Sequence, residues 1–182
     1  MKNLLFLFLI LLGAGWMSCS QKPAENAGEG TATDTTKVEE PAEFADARYM
    51  DLGKKMLAQF ASGNIDGYVS NFADHAVYYW NNGDSVATKA AISDFWKKRR
   101  AEVIDSISFT DEIYLPVKVN KPQSTEAPGI YLLAWYQTYA KYKTGKSMTQ
   151  GMHAVMHFDS TDKIDFVYHY RDNALINAAM KK

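Results

Sequence analysis

The chain has 182 residues, 47% of them hydrophobic and 23% charged, with a net charge of −1. That balance supplies enough apolar side chain for a packed core of about one domain, and a near-neutral chain exerts no long-range pull on nucleic acid or anionic lipid, which argues against a nucleic-acid partner. The only cysteine is Cys19, so neither a disulfide framework nor a thiolate metal site is available and packing must hold the fold together.

The N-terminus carries Lys2, then an apolar run from Leu4 to Leu12, then Gly13, Ala14 and Gly15 ahead of Trp16-Met17-Ser18-Cys19. The run has the length of a signal-peptide core and is too short to span a membrane. A cysteine in this place resembles the lipidated cysteine of bacterial lipoproteins. The resemblance implies a signal peptide over residues 1–18, removed before Cys19, whose acyl chains then anchor the chain to a membrane of the bacterial cell envelope. The outer membrane is the expected one, with the protein facing the periplasm or the cell surface. Ordinary secretion, leaving Cys19 as an odd thiol, is the alternative.

Residues 19–45 read as a flexible tether. Ser20 to about Phe44 is rich in Ala, Gly, Thr, Pro and acidic residues, and too little of it can be buried to repay the entropy of ordering it. Residues 46–182 read as the folded domain. Tyr49, Leu52, Met56, Leu57 and Phe60 recur at helical spacing. Gly63 can end that helix, and Asn64 can cap a second one carrying Ile65, Tyr68, Val69 and Phe72. A strand is expected over Ala76–Trp80, a turn at Asn81–Asp84, and a third helix over about Lys89–Ile104 with Ile92, Phe95 and Trp96 inward. The basic run Lys97-Lys98-Arg99-Arg100 reads as the solvated face of that helix. Four long strands follow, over Ile107–Val119, Ile130–Lys143, Ser147–Phe158 and Lys163–Arg171. Helices first and antiparallel strands after give an α+β class. A long antiparallel sheet curls, and helices on its concave side make a cone.

Asn64-Ile65-Asp66-Gly67-Tyr68, Phe72 through Trp80, Lys89 through Trp96, Asp162-Lys163-Ile164 and Tyr170-Arg171-Asp172 together resemble the nuclear transport factor 2-like superfamily in its SnoaL-like branch. The resemblance implies a cone-shaped, cystatin-like fold with three N-terminal helices packed on a curved antiparallel sheet. It also implies a homodimer through the outer sheet face and no cofactor. The superfamily contains isomerases, dehydratases, cyclases, epoxide hydrolases, ligand binders and dimerisation modules, and fold does not choose among them.

Strand alternation places Ile164, Phe166, Tyr168 and Tyr170 on one face of the last strand, expected inward, and Asp165, Val167, His169 and Arg171 on the other. In the third long strand Met152, Ala154, Met156 and Phe158 are expected inward, with His153, Val155 and His157 outside. The expected pocket is therefore Tyr68, Tyr78, Trp80, Met156, Phe166, Tyr168 and Tyr170, which suits a small hydrophobic or aromatic molecule. The same side chains can instead simply fill the cone. His153 and His157 lie roughly 13 Å apart along a strand, too far to chelate one ion, so no metal site is expected. Acid–base candidates are His75, Asp84 and Tyr168, none of them joined to a complete catalytic set. Three functions stay open: an envelope lipoprotein binding a small ligand in its cone, a cofactor-independent isomerase, dehydratase or cyclase, and a dimeric protein-interaction module.

Overall fold

A computed structural model describes residues 39–181. The expected signal peptide, Cys19 and most of the expected tether lie outside the described residues.

The first element is not among those expected. Ala42–Phe44 forms a short strand, β1, at the sheet edge, pairing with Val117–Val119. All three residues are exposed, so no buried face marks the strand in the sequence. Helix α1 spans Arg48–Ala61 and buries Tyr49, Gly53, Met56 and Phe60. Gly63, at φ 80, lets the chain turn sharply after it. Helix α2, Ile65–Val69, is capped by Asn64, whose Oδ1 accepts from the Gly67 amide at 2.9 Å. Strand β2 covers Phe72–Trp80, β3 Ser85–Ala87, and helix α3 Lys89–Glu102. The long strands are β4 (Ile104–Val119), β5 (Gly129–Tyr142), β6 (Ser147–Phe158) and β7 (Ile164–Tyr170). A fourth helix, α4 (Asn173–Met180), was not expected. Its signal was present: Asp172 caps it, accepting from the Ala174 amide at 2.7 Å, ahead of a run rich in Ala, Leu and Ile.

The seven strands form one curved, unclosed sheet in the order β1-β4-β5-β6-β7-β2-β3. Every pairing is antiparallel except β2 with β7. The helices pack on the concave face, where Phe72, Ile92, Leu132 and Ile164 lose essentially all contact with water. Each such side chain stabilises the fold by about 1.5–3 kcal/mol.

Bulges set which side chains enter the core. On β7 the partner of Phe158 is Ile164, whereas the partner of His157 is Phe166. One step along β6 thus matches two along β7, and Asp165 is the extra residue. A one-residue insertion exchanges the two faces of everything beyond it. Ile164 points inward, but past Asp165 it is Val167 and His169 that are buried, at 2% and 8% exposure, while Tyr168 and Tyr170 stand 42% and 46% exposed. The expected alternation is therefore corrected from Phe166 onward. A second shift on β4, between Thr110 and Ile113, exchanges its faces in the same way, with Asp111 at φ 52.

Candidate functional site

Between α1, α3, α4 and the concave sheet lies a cavity of about 60 Å³. A smaller void of about 30 Å³ beneath it shares Leu57, Tyr68, Tyr78 and Tyr136 with it. A single water needs roughly 10–15 Å³ of such space, so the cavity has room for about four to six waters or for one small organic molecule. Much of the cone is filled by its own aromatic side chains: Phe60 packs edge-on against Trp96 at 4.8 Å, and Tyr78 against Trp80 at 4.9 Å.

The polar centre of the cavity is His169. Tyr78 Oη lies 2.8 Å from its Nδ1 and Tyr136 Oη 3.2 Å from its Nε2. These contacts follow from strand register. Ala134 of β5 faces Ala154 of β6, which faces His169 of β7, and Tyr136 faces Met152 one step along the same inner surface. The two alanines leave room for the ring and the phenols. Burial, reinforced by the positive charge of Arg171 and by His153, holds the imidazole neutral and drops its pKa to about 3. A neutral ring has one N–H. One tyrosine must therefore donate to it and the other accept from it, and the accepting phenol keeps its own proton for another partner. Burial also pushes the phenols of Tyr68, Tyr78 and Tyr136 upward.

Two guanidiniums line the same space, Arg99 from α3 and Arg171 from the end of β7. Arg171 Nε donates to Asn173 Oδ1 at 3.0 Å, and its guanidinium lies over the Trp80 ring at 5.1 Å. Arg99 Nη2 approaches the Met180 sulfur at 3.4 Å. Thr138 and Trp96 also line the cavity, and neither the Thr138 hydroxyl nor the Trp96 Nε1–H has a hydrogen-bond partner.

Of the residues expected to form the pocket, Tyr68 and Tyr78 line the cavity and Met156 lines the smaller void. Trp80 is buried against Tyr78 but outside the lining. Phe166, Tyr168 and Tyr170 lie on the outer face, a correction that follows from the bulge at Asp165. There Phe166 stacks on His157 at 4.8 Å and Tyr168 on Tyr79 at 4.7 Å. Tyr170 stacks on His153 at 5.6 Å, which in turn stacks on Trp135 at 4.5 Å. The acid–base candidates are not brought together. His75 is exposed on β2, Asp84 is tied to Asn82 Nδ2 at 2.7 Å in an exposed turn, and Tyr168 is on the opposite side of the sheet. Sequence reasoning missed Tyr136 and Thr138, and it put His169 and Arg171 outside. It also read Arg99 and Arg100 as solvated, whereas both are half-buried and only Lys97 and Lys98 of that run are exposed. The missed signal was register: once β6 is known to face inward at Ala154, its partner His169 must follow.

No protein-family model and no curated protein matches the chain. Solved structures do. A protein of unknown function from Burkholderia pseudomallei, described as nuclear transport factor 2-like, superposes with a TM-score of 0.60 at 10% identity, over 75% of this chain and 100% of that one. A provisionally named polyketide cyclase from Xanthomonas campestris gives a TM-score of 0.58 at 15% identity, over 74% and 97%. A protein with a ketosteroid isomerase-like fold from Catenulispora acidiphila, solved in complex with trimethylamine, gives 0.53 at 12% identity, over 71% and 92%. At these identities the likeness carries the architecture and not the chemistry. Helices on the concave side of a curved, unclosed, mostly antiparallel sheet, matched across nearly the whole length of these structures, make this the nuclear transport factor 2-like, cystatin-like α+β fold.

Proposed function

We propose that the folded domain is a non-catalytic receptor for a small organic molecule with an apolar or aromatic body, held in the cavity beneath α3 and α4. The observation that carries this reading is the set of titrating groups around the space. His169 is neutral down to a pH of about 3, the buried phenols are pushed above their usual range, and no carboxylate is among the lining residues. General acid–base catalysis is most efficient with a group that exchanges its proton near the working pH, and the histidine and buried phenols lining this cavity are shifted away from that range. The aromatic wall and the few fixed hydrogen-bonding groups are what a binding pocket needs. The isomerase, dehydratase or cyclase alternative would have to use His169 as its base, a ring already held by two phenols.

Trp96 lines the cavity, so ligand entry should change indole fluorescence. Titrating the full-length chain with small aromatic compounds tests the reading. A saturable change that is lost when Ala140, which lines the cavity, is replaced by Leu supports it. Saturation unaffected by Ala140→Leu contradicts it.

We also propose that residues 1–18 are removed and that acylated Cys19 tethers residues 46–182 to a membrane of the bacterial envelope, the outer membrane in this reading. The support is the leader pattern in the sequence. Cys19→Ala should shift the protein from the membrane to the soluble fraction with loss of the acyl mass, and unchanged partitioning would overturn the proposal. A second reading, a homodimer or protein-interaction module built on the outer sheet face, is favoured by the exposed aromatic side chains of Trp135, Tyr139, Tyr168 and Tyr170. Light scattering of wild type and Trp135→Glu checks it: a dimer that becomes a monomer supports the face as the interface.

A further inference from the structure

The hydrogen-bonding capacity of the cavity is unbalanced. Arg99 and Arg171 bring guanidinium donors and no acceptor. Among the described residues, no carboxylate forms an ion pair with either of them. Trp96 adds an indole N–H, a donor only, with no partner. Thr138, with no exposed surface, adds a hydroxyl that has no partner either. Buried polar groups without partners are costly and therefore rare in native proteins, and here the Trp96 indole and the Thr138 hydroxyl line one space together with two half-buried guanidiniums.

Resting on the reading of the cavity as a binding site, we propose that its ligand is a small carboxylic acid, bound as the carboxylate: the acid group fills the cavity between Arg99, Arg171, Thr138 and Trp96, and a short apolar or aromatic body packs on Phe60, Phe109 and Tyr142. A carboxylate offers about four acceptor sites and no donor, the complement of what lines the space. A neutral amide would bring two more donors into a site already rich in them, and an amine would bring a second cation. The volume agrees, since about 60 Å³ of such space suits a small acid with a short or single-ring body rather than a multi-ring compound. Burial lowers the pKa of both guanidiniums, the direction expected of charges held partly away from water. An anion seated between them would reverse that penalty. Asp84 acts on Arg171 only as a more distant charge and sits in the exposed turn.

The test uses benzoate, benzamide and inorganic phosphate as probes of the full-length chain, with binding read by calorimetry at low and at physiological salt. Benzoate should bind at least tenfold more tightly than benzamide. Arg171→Gln and Arg99→Gln should each weaken benzoate binding more than benzamide binding and so remove most of that preference. Circular dichroism of each variant establishes that it is folded. Phosphate should bind more weakly than benzoate, because it has no apolar body to pack. Equal affinity for benzoate and benzamide would overturn the carboxylate assignment and leave the binding cavity standing. Phosphate bound more tightly than benzoate would reassign the site to an inorganic oxyanion, also overturning the proposal. Absence of binding by every probe up to millimolar concentration would overturn both the assignment and the reading on which it rests.

Discussion

His157 Nδ1 lies 2.6 Å from Asp165 Oδ1, and Asp165 is the residue that bulges out of β7. The contact ties the bulge to the neighbouring strand from the outer face, and the opposite ring nitrogen reaches the Pro128 carbonyl at 3.2 Å. Because the bulge decides which alternate side chains of β7 enter the cone, a pair on the outside of the sheet determines that His169 is on the inside. Asp165→Ala should destabilise the domain by about 1–3 kcal/mol, since it strands a buried ring nitrogen. A double-mutant cycle with His157→Phe should show coupling of about 0.5–3 kcal/mol. Denaturant unfolding measures both. Additive effects would show that the pair does not hold the bulge.

Acid should unfold this domain in part through His169. Its folded pKa of about 3 lies below its usual 6.5, so between those values the unfolded chain binds a proton that the folded chain refuses. Stability from this group is complete above pH 6.5 and falls as the pH drops toward 3, by on the order of a few kcal/mol at the lower end. Arg171 and His153 both press in that direction. His169→Gln, which keeps a polar partner for the two tyrosines, should flatten the stability profile in this window. An unchanged profile would mean that His169 is solvated and not enclosed.

Helix α1 rests on the sheet through Gly53. A Cβ at this position would come within 2.7 Å of the side chains of Leu132 and Tyr114. Alanine favours helix more than glycine does, yet Gly53→Ala should destabilise, by about 1–3 kcal/mol, because the overpacking outweighs the propensity. A shift in thermal midpoint gives the sign directly.

Thr138→Val should act oppositely on stability and on binding. The hydroxyl is buried without a partner, so replacing it with a methyl group of the same shape should stabilise the ligand-free protein by about 1 kcal/mol. The same change should weaken benzoate binding severalfold. Melting curves with and without benzoate separate the two effects.

Much of the architecture is legible in the sequence because strong local signals coincide with tertiary demand. Asn64 caps α2, Gly63 takes the positive φ, and the apolar alternation of Met152, Ala154, Met156 and Phe158 is the inward face of β6. The cavity is not legible in the same way. In Ile-Asp-Phe-Val-Tyr-His-Tyr both alternate sets carry apolar or aromatic residues, so the pattern does not show the slip at Asp165. Only pairing with β6 does. Arg99 escaped for a related reason. A helix with four basic residues in a row must turn some of them toward the body, and which one depends on the placement of α4, whose Met180 meets it. The edge strand β1 left no trace, because an edge with three exposed residues has no buried face to read.

The central claim is that a small molecule enters the cone beside His169 and does not merely adhere to the aromatic outer face. The two sites carry different indoles, with Trp96 lining the cavity and Trp135 on the outer face stacked on His153. Following the assigned indole N–H resonances of the full-length chain by NMR during a benzoate titration distinguishes them. The account predicts a saturating shift at Trp96, with Trp135 unmoved and the His169 ring signals shifting in step with Trp96. A shift confined to Trp135, with Trp96 and His169 unchanged to saturation, would contradict it.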